Sequence, residues 1–281
     1  MSRSKLAQLA PISISALSKT YINLVCGGIT SQGLPTLLDA LKEEKGKARE
    51  RGVLTISNHI SVVDDPFLWQ VLPWKYFFNP RTTRWVSGAQ DIMFTNPVFS
   101  KFFDAGQVIS TDRFGGIFQE AITESSRKLG RGDWVHVFPE GKVSQPSLNP
   151  YFEDGMFRFR WGVSRIFLSS PIPPKVIPMH IAGFDKVMPE PRGFPAFVPR
   201  PAPTGTLRVA VGEVLDDLCL PLWKEWRHRV DQGLIKDDGD GPEERERRIQ
   251  FANLLRAEVE KLGVSSGLAE SIEERKARSV S

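Results

Sequence analysis

Five positions separate a histidine from an aspartate in the run Ser57-Asn58-His59-Ile60-Ser61-Val62-Val63-Asp64-Asp65-Pro66. A neutral imidazole can take a proton from a hydroxyl when a carboxylate holds its other ring N–H, the base-and-orienter half of a serine triad. Here the pattern comes without a protein nucleophile, so the attacking hydroxyl would belong to a substrate. The chemistry indicated is acyl transfer to a bound alcohol. Five residues along an ideal helix subtend about 500°, which leaves the two side chains about 140° apart. They meet only if the segment turns between them. Pro66 suits the first turn of a helix and Asp65 before it is a natural N-cap. The expectation is that Asp64 faces His59 while Asp65 caps. A loop histidine beside two capping acids fits this run as well.

Other segments could carry chemistry. Phe138-Pro139-Glu140-Gly141 follows a strand pattern, at the carboxyl end where open α/β sheets bind ligands. Gly141 allows close backbone approach, and Glu140 could accept from a substrate hydroxyl or pair with a cation. A plain turn with a solvated Glu is the other reading. From Gly106 a strand pattern runs into Asp112-Arg113-Phe114-Gly115-Gly116. Arg113 stands just before a helix, where its planar fork could clamp a phosphate or simply pair with Asp112. Lys175–Met179, with Pro178, would shape a pocket wall. Gly263-Val264-Ser265-Ser266-Gly267 matches Gly-x-Ser-x-Gly, but a nucleophile elbow needs a strand before it and a helix after it. A charged helical pattern and a polar tail flank it instead, so no nucleophile is expected there.

The elements that must position these residues alternate. Val53–Ser57, Arg84–Ser87, Gln107–Ser110, Trp134–Phe138, Val176–Ile181 and Leu207–Val211 read as strands. Pro66–Val71, Asn96–Phe103, Gly116–Leu129, Arg158–Leu168, Pro221–Val230 and Pro242–Leu262 read as helices. The fold class expected is α/β, a single domain with a largely parallel central sheet flanked by helices. Pro178 fits a central strand poorly, so that strand is expected to bend or end there. In the first segment Ile14, Leu17, Tyr21, Leu24 and Val25 fall at helical spacing, and Gly27 and Gly28 offer a stop. Such a helix suits a membrane interface or a packed position on the domain. The organisation expected is an amphipathic, membrane-associating segment over 1–40, an α/β core over 41–235, and a helix with a polar tail over 236–281.

The whole chain sets bounds. Its 281 residues, 41% of them hydrophobic, suffice for one sizeable core. A net charge of +4 is compatible with an anionic lipid surface or a phosphate-bearing substrate, and too weak to argue for nucleic acid. Cys26 and Cys219 lie far apart, and His59, His136, His180 and His228 are scattered, so neither a disulfide framework nor a metal site is indicated. No run of about 18 apolar residues predicts a spanning helix. The first 38 residues hold no acid, six serines and three basic residues, a loose likeness to a mitochondrial transit segment.

In order and content, the blocks His59-x4-Asp64, Gly106…Arg113, Phe138–Gly141 and the apolar Lys175–Met179 resemble the glycerolipid acyltransferase family. Finer segments carry the likeness further: Asp64-Asp65-Pro66, Asp91–Thr95, Gly132–Val143 and Arg158–Gly162 are similar to the tafazzin family, over roughly Ser13 to Leu262. The resemblance implies a phospholipid–lysophospholipid transacylase that remodels cardiolipin, needing no metal and no cofactor. It implies His59 as general base and Asp64 as its orienting partner. Arg113 and the block Phe138, Pro139, Glu140 and Gly141 would bind substrate. Its partners would be phospholipids and lysophospholipids, including cardiolipin and monolysocardiolipin, and a membrane surface entered without crossing. The implied location is the mitochondrial membranes facing the intermembrane space, on the outer face of the inner and the inner face of the outer membrane. The stretch Gln145–Gly155, beside the expected pocket, is longer than its counterpart in compact members. The same residues would equally serve an acyl-CoA-dependent lysophospholipid or glycerol-phosphate acyltransferase. A non-enzymatic membrane scaffold would leave the His59/Asp64 pair without a use.

Overall fold

Strands Val53–Ser57 (β2) and Trp134–Val137 (β5) are buried at every position, as apolar runs covered on both faces should be. They lie at the centre of one seven-stranded sheet, in the order β1-β7-β6-β2-β5-β3-β4. The remaining strands are β1 (Ile29–Gln32), β3 (Trp85–Ala89), β4 (Val108–Thr111), β6 (Lys175–Ala182) and β7 (Leu207–Val211). Pairing is parallel throughout except between β6 and β7. The fold is therefore the expected α/β class with a mostly parallel sheet. The computed structural model describes residues 5–42, 49–94, 96–112, 114–145, 148, 155–194, 198–271 and 274.

Alternation along the strands builds two cores. Val53, Trp134, Ile177, Met179 and Ile181 point to a face covered by α1 (Lys5–Val25), α2 (Leu34–Ala40) and α3 (Asp64–Leu68). Leu54, Ile56, Val135, Val137 and Val176 point to the other face. That face is covered by α6 (Glu120–Gly130), α7 (Gly162–Leu168), α9 (Asp216–Asp231) and α10 (Pro242–Ser265). Short α4 (Gln90–Met93), α5 (Pro97–Ala105) and α8 (Phe184–Val187) complete the helices described.

Several local expectations change, among them the helix expected from Arg158, which begins at Gly162. Strand β1 has only one hydrophobic residue, Ile29, and no sequence signal marks it; it is held by parallel pairing to β7. Helix α9 begins at Asp216 rather than Pro221, and Asp216 is held by Nη1 and Nη2 of Arg51, each at 2.7 Å. Helix α6 begins at Glu120 rather than Gly116. Strand β6 runs straight through Pro178, which pairs with Ile56 of β2. The Pro178 carbonyl accepts Gly212 N–H at 2.9 Å just past the end of β7, so the N–H that proline lacks costs only the reciprocal bond at the end of that pairing.

Helix α1 splits the apolar stripe expected of it. Ser15, Ser18, Ile22 and Cys26 turn inward, whereas Leu17 and Leu24 are 74% and 80% exposed. Tyr21 O–H donates to Pro199 O at 2.8 Å and Lys19 Nζ to Leu72 O at 2.9 Å, fixing the helix to the domain. Gly27 and Gly28 end it with positive φ, and Gly28 N–H closes on Ile22 O.

Candidate active site

The end of β2 delivers Asn58 and His59, and the chain then turns so that Asp64 opens α3. Parallel register places the end of β5, and so Phe138–Gly141, alongside. His59 Nδ1 meets Asp64 Oδ2 at 2.8 Å. The same oxygen accepts the backbone N–H groups of Ile60 at 2.7 Å and Ser61 at 2.8 Å. Asp64 is fully buried, which pushes its carboxyl up, while the bonds from His59, Ser61 and Ile60 hold it down against that. An ionised carboxylate only accepts, so Nδ1 carries the hydrogen and Nε2 keeps its lone pair. No described hydroxyl or thiol of the protein bonds Nε2. Burial pushes the Cys219 thiol up to about 12, far from a reactive thiolate.

A polar chain under the site fixes the backbone that presents His59. Trp134 Nε1–H donates to Thr55 Oγ1 at 2.9 Å, and Thr55 meets His136 Nδ1 at 2.9 Å. His136 Nε2 lies 3.4 Å from Ser57 Oγ, which donates to Asn58 O at 2.9 Å. Every donor finds an acceptor if Thr55 donates to Nδ1 and Nε2–H donates to Ser57. Burial pushes His136 down to about 3, so it stays neutral. The Asn58 amide then bridges to β6, giving an N–H to Ile181 O at 2.9 Å and accepting Ile181 N–H at 2.8 Å.

The Phe138–Gly141 block meets His59 in two ways. The Phe138 ring stacks on the imidazole, centroids 4.4 Å apart at 26°. Its other neighbour is His136, edge-on at 4.4 Å. Glu140 turns inward, 2% exposed. Its Oε1 accepts His59 N–H at 2.7 Å and its Oε2 accepts Phe157 N–H at 2.7 Å. Burial raises its carboxyl to about 7, against the pull of those two amides. Pro139 O accepts Arg160 N–H at 2.8 Å, and Gly141, at φ +69°, gives its own N–H to Phe138 O. The loop then returns to the base: Ser144 N–H donates to His59 O at 2.6 Å and Gln145 Nε2 to Ile60 O at 2.7 Å.

The structure thus gathers His59, Asp64, Phe138, Pro139, Glu140 and Gly141. Arg113 lies outside the described residues, as does most of the stretch Gln145–Gly155. Asp65 does not cap. Val63 holds the N-cap position of α3, and the Asp65 carboxylate is taken by Arg84, whose Nε donates at 2.9 Å, and by Trp69 Nε1 at 3.0 Å. Burial would raise that carboxyl, yet the Arg84 guanidinium holds it below the usual range. Sequence reasoning gave no role to Asn58, Ser144, Gln145 or Arg160, although Asn58 and Arg160 lie in segments that carry the family likeness and Gln145 opens the longer stretch. Among the described residues no cluster of histidine, cysteine or acid side chains could hold a metal ion. Ser265 and Ser266 sit at the end of α10, and Ser266 Oγ bonds back to Leu262 O, so the Gly263–Gly267 pattern is a helix terminus.

Residues 40–182, which include the whole His59–Gly141 arrangement, match the family model described as Acyltransferase. The chain is 35% identical over 277 residues to a tafazzin of Saccharomyces cerevisiae, covering 83% of this chain and 71% of that protein. It is 35% identical over 207 residues to an N-acylphosphatidylethanolamine synthase of Arabidopsis thaliana, covering 73% and 69%. The fold is that of the 1-acyl-sn-glycerophosphate acyltransferase PlsC of Thermotoga maritima, with a TM-score of 0.51 at 16% identity over 83% of this chain and 81% of that one.

Proposed function

Since this chain belongs to the acyltransferase family, as a relative of the tafazzins, we propose that it moves an acyl chain between phospholipids and lysophospholipids without CoA, remodelling cardiolipin in mitochondrial membranes. The observation that carries the reading is the His59–Asp64 pair at 2.8 Å with no hydroxyl of the described residues on Nε2. A base without a nucleophile of its own suits an acceptor that brings the hydroxyl. His59 Nε2 takes the hydroxyl proton of the lysophospholipid as its oxygen bonds to the ester carbonyl carbon of the donor. Asp64 stabilises the imidazolium formed. As the old ester C–O bond breaks, the imidazolium returns the proton to the departing lysolipid oxygen. One ester is lost and one gained, so the exchange is close to thermoneutral and runs in both directions.

The substrate is a membrane lipid, and the surface around α1 suits a membrane interface. Leu17 and Leu24 stand out from α1, and Trp74 and Phe78 at the 3-10 turn Trp74–Phe77 and Phe102 on α5 are exposed as well. Helix α1 packs against α5 and that turn, so these side chains belong to neighbouring elements. Among the described residues no helix is long and apolar enough to cross a membrane. A monotopic seat fits these features, with the protein facing the intermembrane space.

The test mixes purified protein with labelled lysophosphatidylcholine and unlabelled phospholipid, without CoA. Label appearing in diacyl phospholipid supports the reading. Transfer that starts only when acyl-CoA is added favours the acyl-CoA-dependent alternative. Import of the tagged chain into isolated mitochondria, with protease access only after rupture of the outer membrane, tests the location.

A further inference from the structure

The missing side chain of Gly141 makes room for a cation of the protein itself. A Cβ built there would stand 2.6 Å from Arg160 Nε and 2.8 Å from Arg160 Cδ, so the Arg160 side chain lies across the glycine. Its position is fixed by its backbone. Phe157 N–H is bound by Glu140 Oε2 at 2.7 Å and Arg160 N–H by Pro139 O at 2.8 Å, while Phe159 between them is fully buried. Arg160 itself is exposed. Exposed Lys142 is the residue after Gly141, its Nζ 3.9 Å from the centre of the Phe157 ring. Among the described residues neither cation meets a carboxylate, and the acid next to Gly141, Glu140, is buried with both oxygens on backbone amides. Two cations therefore flank the loop whose ends bond to His59, with no described protein anion to neutralise them.

We propose that Arg160, with Lys142 beside Gly141, binds the phosphodiester of the lysophospholipid acceptor. The assignment rests on the acyl-transfer reading and adds the group that would position the acceptor. The free hydroxyl and the phosphate of a lysophospholipid are carried by one glycerol unit. A cation close to the base can therefore hold the phosphate while the hydroxyl reaches Nε2. A planar guanidinium gives a phosphate two parallel hydrogen bonds, which an ammonium does not, so Arg160 is the principal contact and Lys142 adds charge.

The test compares wild type, Arg160→Gln, Arg160→Lys and Lys142→Gln by CoA-free exchange in micelles of a neutral detergent. One acceptor is lysophosphatidylcholine and the other a monoacylglycerol, which has a hydroxyl and no phosphate. For Arg160→Gln the ratio of kcat/KM on the two acceptors falls about tenfold, mainly through KM, as the loss of a charge-assisted hydrogen bond predicts. Arg160→Lys recovers part of the ratio, and Lys142→Gln lowers it less. Thermal melting is unchanged, since both side chains are exposed. An unchanged ratio in Arg160→Gln overturns the assignment. So does a variant whose only defect is weaker sedimentation with anionic vesicles, because the cation would then serve the membrane surface. Wild-type protein without exchange on either acceptor overturns the acyl-transfer reading itself, and the assignment with it.

Discussion

Glu140 Oε1 accepts the backbone N–H of His59 at 2.7 Å, across 81 residues of sequence. Asp64 holds the imidazole ring while Glu140 holds the main chain beneath it, so ring orientation and backbone position are set by different acids. Phe138, two residues before Glu140, covers the ring face.

Glu140 should give stability a pH dependence of its own. Its carboxyl holds a proton up to about 7 in the folded chain and to 4.5 in the ordinary state. Between those values the folded protein binds more protons than the unfolded one, so this group makes stability fall as pH rises through that window. Glu140→Gln has no proton to lose and should flatten the slope. Its amide nitrogen faces a backbone N–H, so it should also cost about 1–3 kcal/mol. Urea unfolding of both proteins at several pH values measures this; identical slopes would refute it.

His59→Ala should lower CoA-free exchange by about a hundredfold or more, the usual contribution of a general base, and leave vesicle binding intact. Asp64→Asn can keep its amide oxygen on Nδ1–H and on the Ile60 and Ser61 N–H groups, but it brings no negative charge to stabilise the imidazolium. It should lose a comparable factor in rate at a small cost in melting temperature. Retained exchange in His59→Ala would end the proposed mechanism.

Asp65→Ala should be a stability variant with near-normal specific activity. It strands Arg84 and removes the acceptor of Trp69 Nε1, partly buried contacts together worth about 2 kcal/mol. In a double-mutant cycle with Arg84→Met the two losses should be less than additive. Additive losses would show that the pair contributes nothing.

Replacing Leu17 and Leu24 by Asp should weaken sedimentation with phospholipid vesicles by about tenfold or more, since burying one leucine is worth roughly 1.5–3 kcal/mol. Both residues are largely exposed, so thermal melting in detergent-free buffer should not change. Vesicle binding equal to wild type would place the membrane contact elsewhere.

Local features of the sequence determined the β-branched strands, the helices between them and the turn that joins His59 to Asp64. These depend on near neighbours: side-chain period, proline and glycine placement, and a five-residue separation. Only the tertiary structure decided which partners meet across the sheet. The split between Asp64 and Asp65 is legible in the run ending at Pro66, but the partner of Asp65 is Arg84, a residue on another element. Glu140 reads as an acid for a substrate hydroxyl or a cation, or as a solvated turn residue, yet the pairing of β2 with β5 brings it under His59, buries it and puts its oxygens on backbone amides. Gly141 reads as room for a ligand, and Arg160 occupies that room because backbone bonds to Pro139 and Glu140 lay its segment along the turn. Strand β1 has almost no apolar pattern because an edge strand can be held by backbone pairing, which any sequence can supply.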